Sequence, residues 1–137
     1  MWPQILMVAS AGILLVLGSL HLVYTFAGSK LTPRDPALRL SMAQVSPVIS
    51  RETTMWKAWV GFNASHSFGA ILFGLVYGHL AIVQPAMLFA SPFLLGVGLA
   101  MLGGLLALGK VYWFSIPFRG IAISFTCYVA AIASALS

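Results

Sequence analysis

Residues 59–83 read WVGFNASHSFGAILFGLVYGHLAIV, and this stretch contains no Asp, Glu, Lys or Arg. A run of about 20 apolar residues is what an α-helix needs to cross the roughly 30 Å hydrocarbon core of a bilayer. Three further apolar runs of spanning length lie at residues 5–27, 87–108 and 112–136. The sequence therefore predicts four transmembrane helices.

The composition of the whole chain agrees with this prediction. Hydrophobic residues make up 61% of the 137 residues, charged residues make up 7%, and the mean hydropathy is +1.01. A soluble domain has about a quarter of its residues charged, so most of this surface must face lipid. We expect an all-α polytopic membrane protein whose residues 1–137 form a single four-helix transmembrane bundle.

The basic residues indicate the orientation of the spans. The connection at residues 28–58 contains five Lys and Arg residues, the turn after the third span contains Lys110, and residues 79–86 contain none. The positive-inside rule places the basic connections in the cytoplasm. We expect both termini to lie outside, in a bacterium in the periplasm beyond the inner membrane. The basic residues then determine the orientation of the spans in the membrane, and no nucleic-acid partner is expected.

The long cytoplasmic connection is predicted to contain a short helix. Asp35 followed by Pro36 is typical of a helix N-cap and first turn. Leu38, Met42 and Val45 then recur at helical spacing. This pattern favours a helix lying on the membrane interface, and an irregular linker is the alternative.

Small residues repeat every four positions in two of the spans, a pattern that lets membrane helices approach closely. They lie at positions 70, 74 and 78 of the second span and at 96, 100 and 104 of the third. The simplest interpretation is a pair of seams inside the bundle. A contact in a homo-oligomer is the alternative.

Arg119 is the one Lys, Arg, Asp or Glu inside a predicted span. A guanidinium in hydrocarbon costs at least a few kcal/mol unless something compensates it. The nearby Pro117 is predicted to kink the fourth span just before it. Three outcomes are open for Arg119: its side chain snorkels to the headgroups, it pairs with Glu52 from the loop, or it binds an anion.

Two histidines are predicted to share the depth of Arg119. Counted from the cytoplasmic ends of their spans, His21, His66 and Arg119 lie about 10–14 Å inside. Asn63 and Ser67 share a helix face with His66. The predicted ligand-binding set is thus Arg119, His66, His21, Asn63, Ser67 and Glu52.

Several chemical uses of the two histidines are open. They can hydrogen-bond other helices as neutral imidazoles, or they can ligate a b-type haem as an opposed pair. No cofactor is expected beyond that haem alternative, and no metal site, because neither carboxylate nor thiolate joins His21 and His66. Hydrolase, P-loop and zincin motifs are lacking in the sequence, so catalytic residues are unknown and an enzyme is not the favoured class.

One stretch resembles a known family. Residues 54–69, TMWKAWVGFNASHSFG, together with PRDP at residues 33–36, resemble a family of small four-span bacterial membrane proteins of unknown function. The layout is also similar to DoxX-like small membrane proteins in its number of spans. The resemblance implies a four-helix membrane fold and a role for Asn63 and His66 beyond packing. It implies no activity.

The functional prediction follows from these observations. We expect a small membrane protein that binds a lipid or another anionic amphipathic ligand in an intramembrane polar pocket, as a homo-oligomer or as an accessory subunit of a larger complex. The alternatives are a membrane redox protein or enzyme acting on a lipid-soluble substrate, and an oligomeric channel or transporter subunit.

Overall fold

The computed structural model describes residues 1–136 and is helical through most of that range. Its six helices are α1 Trp2–Phe26, α2 Pro36–Gln44, α3 Met55–Val83, α4 Pro85–Ala90, α5 Pro92–Tyr112 and α6 Ser115–Leu136. Four of them, α1, α3, α5 and α6, have the length and hydropathy of membrane spans. The predicted class, an all-α protein with four transmembrane helices, is confirmed.

The third span begins later than the sequence pattern indicated. Residues 87–108 were the predicted span, whereas the structure has the short α4 and then α5 from Pro92. The break falls at Ser91, whose φ of −101° and ψ of 100° are extended, and whose Oγ accepts a hydrogen bond from the Leu94 N–H (3.3 Å). A residue before proline disfavours the helical region, and proline suits a first helical position.

The fourth span also begins later, and the kink predicted at Pro117 is wrong. Helix α5 continues to Tyr112, Trp113 caps it, and α6 starts at Ser115. Pro117 is therefore the third residue of α6, where a backbone N–H has no partner within the helix. The missing donor disturbs no bond there, and Arg119 lies only about 6 Å along the helix from its start.

The predicted loop helix is present as α2, which excludes the irregular linker. Asp35 is its N-cap, and the carboxylate accepts a hydrogen bond from the Ala37 N–H (2.9 Å). The end of α2 is joined to the start of α3 because the Met55 N–H donates to the Val45 carbonyl (2.8 Å). The loop therefore has a fixed structure at both ends of α2.

Residues 18–69 form one compact unit, and residues 1–17 together with residues 70–136 form another. The core of the second of these contains two buried tyrosines. Tyr77 stacks on Phe73 with ring centroids 4.4 Å apart, and its hydroxyl donates to the Leu94 carbonyl (2.6 Å). The Tyr128 hydroxyl donates to the carbonyl of Leu95 (2.9 Å). Both phenols thus fill apolar space while their polar ends are satisfied.

The small-residue repeat of α3 is an intramolecular seam, as predicted. A Cβ atom added to Gly74 would lie 2.6 Å from Leu15 Cβ and 2.8 Å from the Ala11 carbonyl oxygen. The backbone of α1 therefore approaches α3 at a distance that only glycine allows.

The repeat at positions 96, 100 and 104 is not a seam within the chain, and that prediction is wrong. Ala100 is exposed, and a Cβ atom at Gly96 or Gly104 would meet no atom within 4 Å. The buried residues of α5 are instead Gly98, Leu102, Leu105 and Gly109. A Cβ atom at Gly98 would clash with the Tyr128 ring, so close packing against this glycine determines which face of α5 lies inward.

Candidate functional site

The unit formed by residues 18–69 brings His21 and Asn63 together. The His21 Nε2–H donates to Asn63 Oδ1 (3.0 Å), and Asn63 Nδ2–H donates to the Trp59 carbonyl (2.8 Å). Only the nitrogen end of the Asn63 amide can donate to the Trp59 carbonyl. The oxygen end of the amide must therefore face His21. A neutral His21 therefore carries its proton on Nε2 and leaves Nδ1 as an acceptor.

His66 and Ser67 lie beside this pair. The rings of His21 and His66 meet edge to face, with centroids 5.4 Å apart and planes at 82°. Ser67 is fully buried, and its hydroxyl donates to the Asn63 carbonyl (2.8 Å). Four of the six predicted site residues thus form one polar cluster between α1 and α3.

A cavity of about 290 Å³ opens next to this cluster, with Asn63 in its wall. Four aromatic side chains line it: Tyr24, Phe26, Trp56 and Trp59. Thr25 and Thr32 contribute hydroxyl groups. This volume is at the small end of ligand pockets, so it suits a headgroup or a single ring rather than a whole lipid.

The walls of the cavity are held by hydrogen bonds. The Thr25 hydroxyl donates to the His21 carbonyl (2.8 Å), and the Trp59 indole N–H donates to the Leu31 carbonyl (2.9 Å). The Thr32 hydroxyl donates to the Ser29 carbonyl (2.7 Å). These bonds use the hydroxyl hydrogens, so the threonine oxygens offer a ligand lone pairs, while the Asn63 amide has a second N–H to donate.

Two cations rest on the aromatic walls. Lys30 Nζ lies 3.9 Å from the centroid of the Tyr24 ring, and Arg39 Cζ lies 3.6 Å from that of Trp56. Such cation–π contacts are worth about 0.5–1 kcal/mol at exposed sites and more where water is excluded. Residues 18–69 contain five Lys and Arg against two Asp and Glu, a formal charge of +3. The pocket therefore lies in a positive environment.

Glu52 and Arg119 are the predicted site residues that are not part of this cluster. Glu52 is exposed in the loop, where its backbone N–H donates to Ser50 Oγ (3.2 Å). Arg119 belongs to the other compact unit and is exposed on α6. The depth assigned to Arg119 was counted as nine residues from Lys110, whereas α6 begins at Ser115, only four residues before Arg119. Snorkelling, pairing with Glu52 and anion binding remain predictions.

Haem ligation by His21 and His66 would require this cluster to rearrange. An axial ligand must present a nitrogen lone pair to the iron, and with Nε2 donating to Asn63 only the Nδ1 of His21 has one. The edge-to-face contact at 5.4 Å also leaves no room for a porphyrin plane between the two rings. The observed geometry fits an imidazole–amide hydrogen bond better than a pair of axial ligands.

The aromatic walls are the part of the site that the sequence did not reveal. Trp56 lies beside the start of a predicted span, where an aromatic belt at the membrane surface is expected, and composition does not distinguish such a belt from a pocket wall. The signal that could have found the pocket is that Tyr24 and Trp56 end two spans joined by one basic loop.

Comparisons with protein-family models, with curated proteins and with solved structures find no match to this chain. The chemistry of the pocket is therefore the basis for a functional proposal. Its lining contains hydroxyl, amide, indole and phenol groups but no carboxylate, thiol or imidazole. Such a lining can bind and orient a molecule through hydrogen bonds and ring contacts.

Proposed function

We propose that this integral membrane protein binds an anionic amphipathic ligand, a lipid or a lipid-like molecule, in the pocket of residues 18–69. The observation that carries the proposal is the aromatic cavity of about 290 Å³ with Lys30 and Arg39 stacked against two of its walls. These two cations are not among the residues that line the cavity, and they would attract an anionic headgroup from beside it. Its neutral polar part would meet Asn63 and Thr25, and its acyl chains would remain in the bilayer.

The charge of the pocket favours an anion over a cation. An aromatic cage can also hold a quaternary ammonium group through its ring faces. Here Lys30 already lies over Tyr24 and Arg39 over Trp56, so two of the four rings carry a cation from the protein itself. The surplus of basic residues in the same unit would repel a second cation and attract a phosphate or carboxylate.

The orientation proposed for the chain agrees with such a ligand. The basic loop would face the cytoplasm and both termini the outside, in a bacterial inner membrane. The inner leaflet carries anionic lipids, which concentrate near basic residues at the membrane surface. The pocket would then load from that leaflet.

Native mass spectrometry with added lipid tests the proposal. The protein in mild detergent is titrated with phosphatidylglycerol and, separately, with phosphatidylcholine of the same chain length. We expect phosphatidylglycerol to be retained at least 10-fold more tightly. The double variant Lys30→Ala/Arg39→Ala should lose most of that preference.

A variant of equal charge provides the control. Arg51→Ala/Lys110→Ala removes two other exposed cations. We expect it to keep the preference for phosphatidylglycerol. Equal retention of the two lipids by the wild-type protein, or an equal loss in both double variants, would refute specific binding in the pocket.

A further inference from the structure

The loop between α1 and α3 exposes large apolar side chains that lie outside the spanning helices. Val48 and Ile49, at the tip after α2, are 108% and 92% exposed. Leu38, Leu40 and Val45 are also more than half exposed. We call these five residues the apolar ridge. Large apolar side chains exposed together in one short loop are costly in water and indicate a contact with something apolar.

Three contacts hold the loop against the first turns of α3. The Trp59 indole donates to the Leu31 carbonyl at 2.9 Å, and the Met55 N–H donates to the Val45 carbonyl at 2.8 Å. The guanidinium of Arg39 stacks on Trp56, 3.6 Å from the ring centroid. These contacts join the loop before α2, α2 itself and the residue after it to the first turns of α3. The ridge is therefore fixed at the level of Trp56 and Trp59.

That level corresponds to the lipid headgroups. Tryptophan and tyrosine concentrate at the boundary between headgroups and acyl chains, and Trp56, Trp59 and Tyr24 all lie at this end of the unit. Helix α1 has 25 residues and α3 has 29, lengths of about 37 and 43 Å. Both exceed the roughly 30 Å hydrocarbon core, so their ends reach into the headgroup layer.

The charges around the ridge complement an anionic membrane surface. Lys30, Arg34 and Lys57 are exposed in the same unit, and each basic residue near such a surface contributes about 1 kcal/mol of attraction. We propose that the apolar ridge inserts into the leaflet that the same chain spans, with Val48 and Ile49 entering the acyl chains and the basic residues contacting lipid phosphates. This proposal does not depend on the ligand pocket.

Depth-dependent fluorescence quenching tests the insertion. In a Cys127→Ala background, Val48→Cys is labelled with the polarity-sensitive dye NBD, and the protein is reconstituted in vesicles of phosphatidylcholine and phosphatidylglycerol. We expect a blue-shifted emission, and quenching by a nitroxide near the top of the acyl chain that is at least threefold stronger than quenching by aqueous iodide. Glu52→Cys, exposed in the same loop, is the matched control and should show the reverse preference.

Two results would overturn the proposal. The first is a probe at position 48 that behaves like the probe at position 52, with water-like emission and strong iodide quenching. The second is efficient disulfide cross-linking between Val48→Cys copies, which would show that another copy of the chain covers the ridge. The blue shift should also decrease in vesicles of pure phosphatidylcholine, and an unchanged shift would contradict the role of the basic residues.

Discussion

His21 and Asn63 are joined by a hydrogen bond of 3.0 Å between two helices, and the same Asn63 lies in the wall of the pocket. The Nδ2–H of the same amide donates to the Trp59 carbonyl of its own helix. Rotation of the Asn63 side chain would therefore break both hydrogen bonds. His21 thereby fixes the orientation in which Asn63 faces a ligand. The polar cluster and the pocket are connected through this one residue.

Replacing Asn63 by leucine should destabilise the protein. The substitution leaves the His21 N–H without its acceptor in a partly buried position, which costs about 1–3 kcal/mol. Thermal unfolding in detergent measures the loss of stability. Ser65→Ala is the control, because the exposed Ser65 hydroxyl bonds only to the Phe62 carbonyl of its own helix. Equal melting temperatures for the two variants would contradict the importance of the His21–Asn63 bond.

Gly74→Ala should be more damaging than Gly104→Ala. The new Cβ would lie 2.8 Å from the backbone oxygen of Ala11, which cannot move aside as a flexible side chain can. Overpacking of this kind costs about 1–3 kcal/mol. Gly104→Ala has open space around its Cβ and should be neutral, or stabilising by up to about 1 kcal/mol through helix propensity. A Gly74→Ala protein as stable as Gly104→Ala would show that α1 and α3 are not in close contact at this glycine.

Ser10 and Ser124 should be energetically coupled. Their hydroxyl oxygens are 3.0 Å apart, and the Ser124 hydroxyl also reaches the Ser10 carbonyl at 2.9 Å in a fully buried position. Hydrogen bonds between membrane helices average about 0.6 kcal/mol and reach about 1.7 kcal/mol. A double-mutant cycle of Ser10→Ala and Ser124→Ala should give a coupling free energy in this range. Strict additivity of the two substitutions would contradict a direct bond.

Trp59→Phe should release the start of the loop while keeping an aromatic wall in the pocket. The indole N–H donates to the Leu31 carbonyl, and phenylalanine cannot replace that donor. Hydrogen–deuterium exchange of residues 28–35 should therefore become faster by severalfold. Trp2→Phe, at an exposed position on α1, is the control and should leave these residues unchanged. Unaltered exchange in the Trp59 variant would show that other contacts hold the loop.

The sequence predicts the fold well because length and hydropathy decide which segments enter a membrane. It also places Asn63, His66 and Ser67 together, since their spacing on one helix determines their common face. The span ends near Ser91 and Ser115 are not predictable from hydropathy, because an apolar residue is compatible with either side of a helix break. The position of Trp56 in the pocket wall is not predictable either, because a tryptophan at a span end can anchor the helix or line a pocket.

Arg119→Gln should leave lipid retention unchanged if the ligand is held by Lys30 and Arg39. Arg119 is exposed about one turn from the start of α6, so its long side chain can reach the headgroups at little cost. We expect the variant to keep the wild-type preference for phosphatidylglycerol over phosphatidylcholine in native mass spectrometry. Arg119→Lys, which keeps the charge, is the control. A loss of the preference in Arg119→Gln but not in Arg119→Lys would instead assign the contact with the anionic group to Arg119.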